Sequence, residues 1–298
     1  MKEAELKKFF DKRGLVLFDS ALGSALFAAG YPASAGTEKA NLTHKETLFD
    51  IHKKNVKAGS DAITSNSFGV TRMYMQGERE SALELLTESV KIARQAAPEE
   101  GEVLVCLGLG PAGVLFDSPE NVSYKEAEDA FSAQAEAGAR AGADFILLET
   151  FSDKKEIIIA AAAAKGASGL PVIGTMTFNE DGFSFMGATP AEFVKEALDC
   201  GFFGIGANCS LGPMEMIPIA EEILNSAEGT PVLVQPNAGQ PVHKDGRTLY
   251  KITAEEFSSG AEKLIDLGIS AIGGCCGTTP EMISAVRGII DSRRKRNE

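Results

Sequence analysis

Residues 273–280 read Gly-Gly-Cys-Cys-Gly-Thr-Thr-Pro, and an apolar run at 269–272 precedes them. Glycines flank the cysteine pair, and the Thr-Thr-Pro that closes the stretch is typical of a helix start. The pattern predicts a buried strand that delivers the thiols of Cys275 and Cys276 into a tight turn ahead of a helix. A strand followed by a helix is one unit of an alternating β/α fold.

The same unit recurs along the whole chain, because short apolar runs alternate with longer stretches that have helical spacing. The apolar runs lie at 15–19, 62–68, 103–110, 145–150, 171–178, 203–210, 231–239 and 269–277. The helical stretches lie near 44–58, 78–97, 123–141, 153–165, 189–200, 213–227, 253–267 and 279–292. Eight such units predict a (β/α)8 TIM barrel, a single domain over residues 1–298, whose parallel strands are covered by helices. An open doubly wound sheet is the alternative, and the even spacing of the units favours closure.

Local signals mark where several of these helices begin and end. Thr253 and the Thr-Pro pair at 189–190 are typical of helix starts, and Pro213 is predicted to lie in a first turn. Glycines at 59, 142, 201 and 268 are predicted to follow helix ends.

Composition and charge exclude several classes of protein. The chain has 298 residues, 44% of them hydrophobic, which suffices for one sizeable core. A net charge of -13 argues against a nucleic-acid partner, whose phosphates would be repelled. Five cysteines, two of them adjacent, are typical of a reducing compartment rather than of a disulfide framework. No stretch reaches the roughly 18 apolar residues of a membrane span, and residues 1–13 are not a signal peptide, so we expect a cytoplasmic protein.

Three cysteines are expected to meet at one end of the barrel. Cys209 ends the sixth apolar run, and Cys275 and Cys276 end the eighth. The carboxyl ends of barrel strands share one rim, so the three thiols should converge there. Zinc prefers sulfur ligands, and a catalytic zinc site keeps its fourth position open. We therefore expect a zinc centre whose open position takes a substrate thiol.

The same rim gathers polar side chains from other strands. Asp19 and Glu149 each end an apolar run. An unpaired carboxylate is costly at the end of a buried strand, and a substrate ammonium group would offset that cost. Ser24 follows the same strand as Asp19, whereas Ser65 belongs to the second run and Asn237 to the seventh. All three are further candidates for contacts with the substrate.

Several of these segments resemble the homocysteine methyltransferase family. Asn-Cys-Ser-Leu-Gly-Pro at 208–213 and the cysteine-pair stretch at 273–280 match its most specific blocks. Glu-Thr-Phe-Ser-Asp at 149–153 and Pro-Asn-Ala-Gly at 236–239 match two others, so the resemblance covers nearly the whole chain. Within the family, the segment 176–190 is most similar to the homocysteine-binding module of cobalamin-dependent methionine synthase.

The resemblance implies a zinc-bearing (β/α)8 barrel that methylates homocysteine to methionine. It implies the three rim cysteines as the zinc ligands, which hold the substrate as a zinc-bound thiolate. It places Asp19 and Glu149 near the substrate amino group, and the backbone amides from Ala21 to Ser24 near the substrate carboxylate.

The methyl donor follows from the same resemblance. The related module receives its methyl group from methylcobalamin, so we expect a separate corrinoid protein to dock transiently over the rim. A small sulfonium donor such as S-methylmethionine, which other branches of the family use, is the alternative. Two further interpretations stay open, a barrel enzyme that binds phosphate at the turn after Gly273 and Gly274 and a non-catalytic zinc module. No fourth cysteine or suitably spaced histidine supports the latter.

Two loops depart from the family pattern. In the first loop this chain has Ser20 in place of a glycine and Ser24 in place of a threonine. In the second loop it has Ser65 and Ser67 in place of threonines. Hydroxyl groups persist at three of these positions, whereas Ser20 is expected to restrict the backbone where it approaches the substrate.

Overall fold

The protein is built on one ring of parallel strands. The computed structural model describes residues 1–98, 102–113, 123–244 and 247–297. Its strands are β1 Val16–Leu17, β2 Ala62–Thr64, β3 Leu104–Leu109, β4 Phe145–Phe151, β5 Val172–Met176, β6 Gly204–Asn208, β7 Val232–Gln235, β8 Val242–Lys244, β9 Arg247–Leu249 and β10 Ala271–Ile272. Eight of them form one sheet in the order β1-β10-β7-β6-β5-β4-β3-β2, while β8 and β9 form a separate antiparallel hairpin.

The sheet closes on itself between β1 and β2. Phe18, directly after β1, forms a parallel bridge to Ala62. The amide of Asp61 donates a hydrogen bond to the carbonyl of Leu17 at 2.6 Å. Each barrel strand therefore lies beside its predecessor in the chain, which confirms the predicted (β/α)8 barrel and excludes the open sheet.

Helices cover the outside of this ring. The described helices are α1 Glu3–Arg13, α2 Leu22–Ala28, α3 Ala40–Thr43, α4 Lys45–Ala58, α5 Val70–Met75, α6 Arg79–Ala96, α7 Tyr124–Ala141, α8 Lys154–Ser168, α9 Pro190–Asp199, α10 Ile217–Ser226, α11 Ala254–Asp266 and α12 Pro280–Asn297. The eight predicted helical stretches correspond to α4 and α6 to α12, whereas α1, α2, α3, α5 and the β8–β9 hairpin are additions to that pattern. None of the helices in the described ranges is long and apolar enough to cross a bilayer.

The helix-boundary predictions hold with one exception. Thr189 and Thr253 cap α9 and α11, each accepting a hydrogen bond from the amide three residues later. Glycines 59, 142, 201 and 268 follow helix ends with positive φ, as predicted. The prediction for Pro213 is wrong, because α10 begins only at Ile217.

Alternate side chains of the strands face the barrel interior and the helices. Val16 and Phe18 belong to the interior cluster, whereas Leu17 between them packs with the helices. This alternation is what the two-residue period of a strand requires when both faces of a sheet are covered.

Helix α1 covers the amino-terminal end of the barrel. Its buried residues Leu6, Phe9 and Phe10 join the interior cluster. The ring of Phe10 meets that of Phe203, just before β6, edge-on at a centroid distance of 5.2 Å. This apolar cover leaves the opposite end, where the strands finish, as the open face of the barrel.

Candidate active site

Three sulfur atoms meet at the open end of the barrel. Cys209 follows β6, and Cys275 and Cys276 follow β10. Their Sγ atoms all lie within 4.8 Å of one another, and those of Cys209 and Cys276 are 3.9 Å apart. Within the described ranges they are the only group of three or more histidine, cysteine or acidic side chains close enough to share an ion. The structure thus brings together the thiols that the sequence predicts to converge.

The spacing and chemistry of these sulfurs suit zinc. Two sulfurs that each lie about 2.3 Å from a tetrahedral zinc ion are about 3.8 Å apart. The observed separation of 3.9 Å between Cys209 and Cys276 is close to that value. All five cysteines are free thiols, so no disulfide competes for the three sulfurs. Three sulfur ligands with one open position are the donor set of a catalytic rather than a structural zinc site.

Unusual backbone conformations place these sulfurs. Cys209 and Ser210 have φ angles of 65° and 61°, in the left-handed region that non-glycine residues rarely adopt. Thr150, within β4, is another such residue with a φ of 64°. The amide of Cys209 is held by the carbonyl of Gln235 at 3.1 Å. Residues in such conformations concentrate at functional sites, where their surroundings hold them against the strain.

Asn208, the last residue of β6, links the sulfurs to β4 and β5. Its Nδ2 donates to Thr150 Oγ1 at 2.7 Å and lies 3.8 Å from Cys275 Sγ. Its Oδ1 accepts from the Thr150 amide at 2.9 Å and from the Thr175 hydroxyl at 2.8 Å. Because the side chain is buried, these bonds fix one orientation of the amide and direct its donor toward Cys275.

Hydrogen bonds among the sulfurs shift the pKa values of Cys276 and Cys275 in opposite directions. Donors from Cys209, then Cys275, and then the Tyr250 hydroxyl lower the pKa of Cys276 to about 3, although burial opposes them. The hydrogen bonds that Cys275 shares with Cys209 and Cys276, together with burial, raise the pKa of Cys275 well above its usual range. Hydrogen bonding within the group thus lowers the pKa of one sulfur and raises that of its neighbour.

A cavity of about 400 Å³ lies over the sulfurs, a size that suits a small metabolite. Its lining includes the sequence-predicted residues Asp19, Ala21, Ser24, Ser65, Glu149, Cys209, Cys275 and Cys276. The site therefore combines thiols that follow β6 and β10 with carboxylates that follow β1 and lie in β4.

Asp19 is hydrogen-bonded on both carboxylate oxygens. Thr64 donates its amide to Oδ2 at 2.8 Å and its hydroxyl to Oδ1 at 3.0 Å. The thiol of Cys106 donates to the same hydroxyl at 3.3 Å. Burial nevertheless raises the pKa of Asp19 to about 7, against the lowering effect of Thr64. Asp19 is therefore fixed in position, with a pKa above its usual range.

Glu149, within β4, has a different environment. None of the described residues donates a hydrogen bond to its carboxylate. Burial first, and then the charges of Asp19 and Cys276, raise the pKa of Glu149 to about 8. Gly108 on β3 makes room for this carboxylate, because a Cβ there would lie 2.7 Å from Glu149 Oε1. In the described chain Glu149 thus has no positively charged partner. A buried carboxylate needs such a partner in order to ionise.

The loop after β1 is tied to the cysteine turn. The amide of Ala21 donates to Thr278 Oγ1 at 3.0 Å, and the amide of Gly277 donates to Ser24 Oγ at 3.0 Å. Residues 22–24, which form the first turn of α2, line the cavity. The Ala21 amide is therefore already in use, and the amides of the first turn of α2 are the ones open to a ligand.

Ser20 has an ordinary backbone conformation and is tied to a neighbouring helix. Ser20 is not among the described residues with positive φ, so the backbone does not require glycine there. Its amide and its hydroxyl both donate to Asn55 Oδ1, at 2.9 and 2.8 Å. Because Asn55 lies on the buried face of α4, Ser20 anchors the loop to that helix.

Ser65 lines the cavity, but its hydroxyl is largely engaged by the protein. Its Oγ lies 2.7 Å from Ser67 Oγ and accepts the Gly108 amide at 3.2 Å. Ser67 Oγ donates to the Gly108 carbonyl at 2.7 Å, so the proton of Ser65 goes to Ser67. The pair fastens the loop after β2 to β3 and leaves Ser65 with a lone pair to offer a ligand.

Asn237 lies outside the cavity, in contrast to its predicted place beside the substrate. Its amide donates to the Leu211 carbonyl at 2.9 Å, and its buried Oδ1 has no hydrogen-bond partner in the described chain. Pro236 and Asn237 follow the end of β7 at Gln235. Gln235, the last residue of β7, lines the cavity instead, and its Oε1 is likewise buried without a described partner.

Sequence reasoning also missed the apolar part of the lining. Phe27 and Phe68 both line the cavity, and each is 42% exposed. Phe27 lies on α2, which is not part of the repeating pattern of strands and helices. Phe68 follows β2, in a loop whose predicted site residues were those with hydroxyl groups. A large apolar residue in a loop at the carboxyl end of a barrel strand is the signal that could have found Phe68.

The chain is similar to proteins of known family. A family model described as homocysteine S-methyltransferase matches residues 16–290. The methionine synthase of Mycobacterium tuberculosis is 30% identical over 287 residues, which cover 90% of this chain and 24% of that protein. The betaine–homocysteine S-methyltransferase 1 of Mus musculus is 27% identical over 298 residues, which cover 91% of this chain and 71% of that protein. The chain thus spans about a quarter of the length of the methionine synthase.

Solved structures share the fold. The homocysteine methyltransferase MmuM from Escherichia coli, in its metallated form, superposes with a TM-score of 0.77 at 22% identity, covering 96% of this chain and 99% of that one. Its oxidized form superposes with a TM-score of 0.78 at 21% identity, with the same coverage. The carboxyl transferase domain of Rhizobium etli pyruvate carboxylase, Y628A with pyruvate, has a TM-score of 0.56 at 12% identity, covering 97% and 50% of the two chains. At these identities the similarity concerns the fold alone.

Proposed function

The chain belongs to the homocysteine S-methyltransferase family, and on that basis we propose that it transfers a methyl group to the thiol of homocysteine to form methionine. The observation that carries the proposal is the convergence of three sulfurs and two carboxylates on one cavity. The sulfurs suit a metal that binds a thiol, and the carboxylates suit an ammonium group. A thiol amino acid presents both groups to such a site.

The sulfur side of the cavity would activate the thiol. Cys209, Cys275 and Cys276 would hold zinc, and bound zinc would lower the pKa of the substrate thiol, which is about 8.5 when free. A general base is then unnecessary, in keeping with a described lining that contains no histidine. Asn208 and the left-handed backbone at Cys209 keep the sulfurs in place. Because the three sulfurs must stay reduced, we also keep the expectation of a reducing compartment such as the cytoplasm.

The carboxylate side would bind the amino acid. Glu149, which has no partner among the described residues, would give up its proton as the substrate ammonium binds, and Asp19 would form a second contact from its fixed position. The amides of residues 22–24, at the start of α2, would meet the substrate carboxylate. Ser24 and Ser65 flank this region, and Gln235 rather than Asn237 would supply a side-chain amide.

As the methyl donor we propose a methylated corrinoid carried by a separate protein. The similarity to a methionine synthase supports this choice. The rim also carries exposed apolar side chains in the loops after β5 and β6. They are Phe183, Phe185, Met186 and Met214, whose exposed fractions are 46%, 86%, 50% and 44%. Apolar groups exposed at the mouth of a site suit transient contact with a protein partner.

A small methyl donor is the second candidate. The homocysteine methyltransferase MmuM shares this fold over 99% of its chain, and this likeness supports a donor that one barrel can bind by itself. The mouse relative is named for betaine, which is a second small molecule to consider as the donor. S-methylmethionine and betaine both carry methyl groups on a cationic centre, which aromatic faces such as those of Phe27 and Phe68 can contact within the cavity.

Methionine formation by the purified, zinc-loaded chain tests the function and the donor together. Homocysteine is supplied with one donor at a time: a methylated corrinoid-binding fragment of a methionine synthase, S-methylmethionine, or betaine. We expect turnover with the corrinoid fragment alone. Rapid turnover with a small donor and none with the corrinoid would decide for the second candidate. No methionine from any donor, despite bound zinc and homocysteine, would contradict the proposed function.

A further inference from the structure

The loop after β2, residues 65–69, forms one wall of the cavity over the sulfurs, and the segment 37–41 holds it there. Asn66 and Phe68 of the loop line the cavity, as does Thr37 of the segment. Asn66 Nδ2 donates to the Thr37 carbonyl at 2.7 Å and to Asn41 Oδ1 at 2.9 Å. In return, Asn41 Nδ2 donates to the Asn66 carbonyl at 2.8 Å. Because both asparagine side chains are buried, these bonds join the two pieces of chain firmly.

Glu38, in the same segment, reaches the far end of the loop. Its side chain is buried, and its Oε1 accepts the Gly69 amide at 2.8 Å and the Thr37 hydroxyl at 3.1 Å. Gly69 has a φ of -85°, which any residue can adopt, so its backbone conformation does not require glycine. A Cβ at this position would, however, lie 2.7 Å from Glu38 Oε1. Glycine at 69 therefore serves the close approach of the carboxylate.

This contact fixes the peptide group that joins Phe68 to Gly69. The carbonyl of that group accepts the Gly110 amide at 3.0 Å, while its N–H group donates to Glu38. The two groups point in opposite directions across the peptide bond, so the peptide plane cannot turn without breaking one of the two hydrogen bonds. The ring of Phe68 packs on Gly110, where a Cβ would lie 2.6 Å from Phe68 Cε2. Gly110 and Glu38 thus hold Phe68 from two sides.

Glu38 acts on a ligand through the loop, because the described residues that line the cavity include Phe68 but not Glu38. Phe68 is 42% exposed and offers apolar surface that the methylene groups of homocysteine can cover. A wall that is already in place costs no ordering when the substrate binds. We propose that Glu38 is a positioning residue that holds Phe68 against the cavity as the apolar wall for the hydrocarbon chain of the substrate. The inference rests on the proposed function, which supplies homocysteine as the substrate.

A double-mutant cycle on the zinc-loaded chain tests the proposal, with homocysteine affinity measured by calorimetry. Phe68→Ala should weaken homocysteine binding by roughly tenfold, the factor that the apolar contact of its methylene groups is worth. Glu38→Ala frees the Gly69 amide and should weaken binding by about fivefold, because the loop must then be ordered when the substrate binds. The variant that carries both substitutions should bind as weakly as Phe68→Ala alone, since Glu38 acts through Phe68.

Gly69→Ala interrupts the same hydrogen bond while the carboxylate stays in the chain, and it carries the test if Glu38→Ala does not fold. Alanine adopts the φ of Gly69 without strain, but its methyl group should displace Glu38. The loss of affinity should therefore match that of Glu38→Ala. Glu38→Gln keeps an acceptor oxygen for the Gly69 amide and should retain most of the wild-type affinity.

Glu156→Ala is the matched control. Glu156 is also buried and accepts a backbone amide, that of Ala112 at 2.6 Å, but it is not among the described residues that line the cavity. Its loss should change homocysteine affinity by less than about twofold. Wild-type affinity in Glu38→Ala, an equal loss in Glu156→Ala, or losses that multiply in the double variant overturn this inference alone. A zinc-loaded wild-type chain that binds no homocysteine overturns the proposed function as well.

Discussion

The two ends of the barrel are built on different principles. At the amino end, α1 packs Leu6, Phe9 and Phe10 into an apolar cluster with the barrel interior. At the carboxyl end, three of the four described non-glycine residues with positive φ and two carboxylates of raised pKa surround the sulfurs. The amino end gains stability through burial, while the carboxyl end retains strain and unpaired charge that a ligand can relieve. Substitutions at the two ends should therefore be distinguishable by what they change.

The largest effect is expected from removing one sulfur at the carboxyl end. Cys276→Ser should lower zinc affinity by more than about 100-fold, beyond the 10–100-fold that the loss of a supporting residue costs, and should abolish methyl transfer. The free energy of unfolding of the metal-free protein should change by less than about 1 kcal/mol, because the side chain is only half-buried. Atomic spectroscopy and denaturant titration measure the two quantities.

Cys200→Ser is the matched control for this experiment. Cys200 is also half-buried, but it lies at the end of α9, away from the three sulfurs. This variant should bind zinc as the wild type does. A Cys276→Ser chain that is free of zinc and fully active would show that the sulfurs do not serve the reaction.

The amino end should respond in the opposite way. Leu6→Ala removes a fully buried side chain of α1 and should lower the free energy of unfolding by about 2–5 kcal/mol. Lys8→Ala, on the exposed face of the same helix, should change it by less than about 0.5 kcal/mol. Zinc content per folded chain should stay the same in both variants. Loss of zinc from folded Leu6→Ala would mean that the two ends are coupled.

Glu149 should make ligand binding depend on pH. Because burial and neighbouring charge raise the pKa of Glu149 to about 8, the free protein holds this proton at neutral pH and releases it when an ammonium group binds. Methionine has the ammonium group without the thiol, so its affinity should rise by at most about tenfold per pH unit from pH 6 to 8 and then level off. Calorimetry in buffers of different ionisation enthalpy measures the proton release directly.

The variant Glu149→Gln supplies the control for this titration. It should bind methionine more weakly at pH 8 and lose the part of the pH dependence that belongs to Glu149. Between the unfolded pKa of 4.5 and about 8, the native chain binds more protons at this site than the unfolded chain does. The wild-type fold should therefore lose stability as pH rises through that window, and less so in the variant. Pairing of Glu149 with a cation in the free protein would show itself as pH-independent binding.

The features that could be predicted from sequence are those that repeat or that lie adjacent in the chain. Eight apolar runs of similar spacing, each followed by a helical stretch, predict a parallel barrel. Cys275 and Cys276 are neighbours, and Cys209 ends a strand of the same rim, so their convergence follows from topology alone. Glycines after helix ends are equally local signals, because glycine is the residue that most easily adopts the left-handed conformation in which many helices end.

The features that escaped prediction depend on where a side chain points after its strand has ended. Asn237 and Gln235 are both polar and two residues apart, but of the two only Gln235 lines the cavity. The cover formed by α1 precedes the first strand, and its three buried residues stand among many charged ones. Each of these features is a long-range contact, which local pattern and residue type do not encode.

Ser20 supplies the smallest test, because it lies at the carboxyl end yet contributes to stability. Ser20→Gly restores the residue usual in the family and removes the hydroxyl hydrogen bond to Asn55 Oδ1, 2.8 Å long, while the amide bond to the same atom remains. The lost bond and the added freedom of the unfolded chain should cost about 1–2 kcal/mol of unfolding free energy. Homocysteine affinity should stay within about twofold, since the backbone at this position does not need glycine. Denaturant titration and calorimetry with homocysteine measure the two effects, and a tenfold gain in affinity would mean that Ser20 holds the loop in a conformation that the substrate must change.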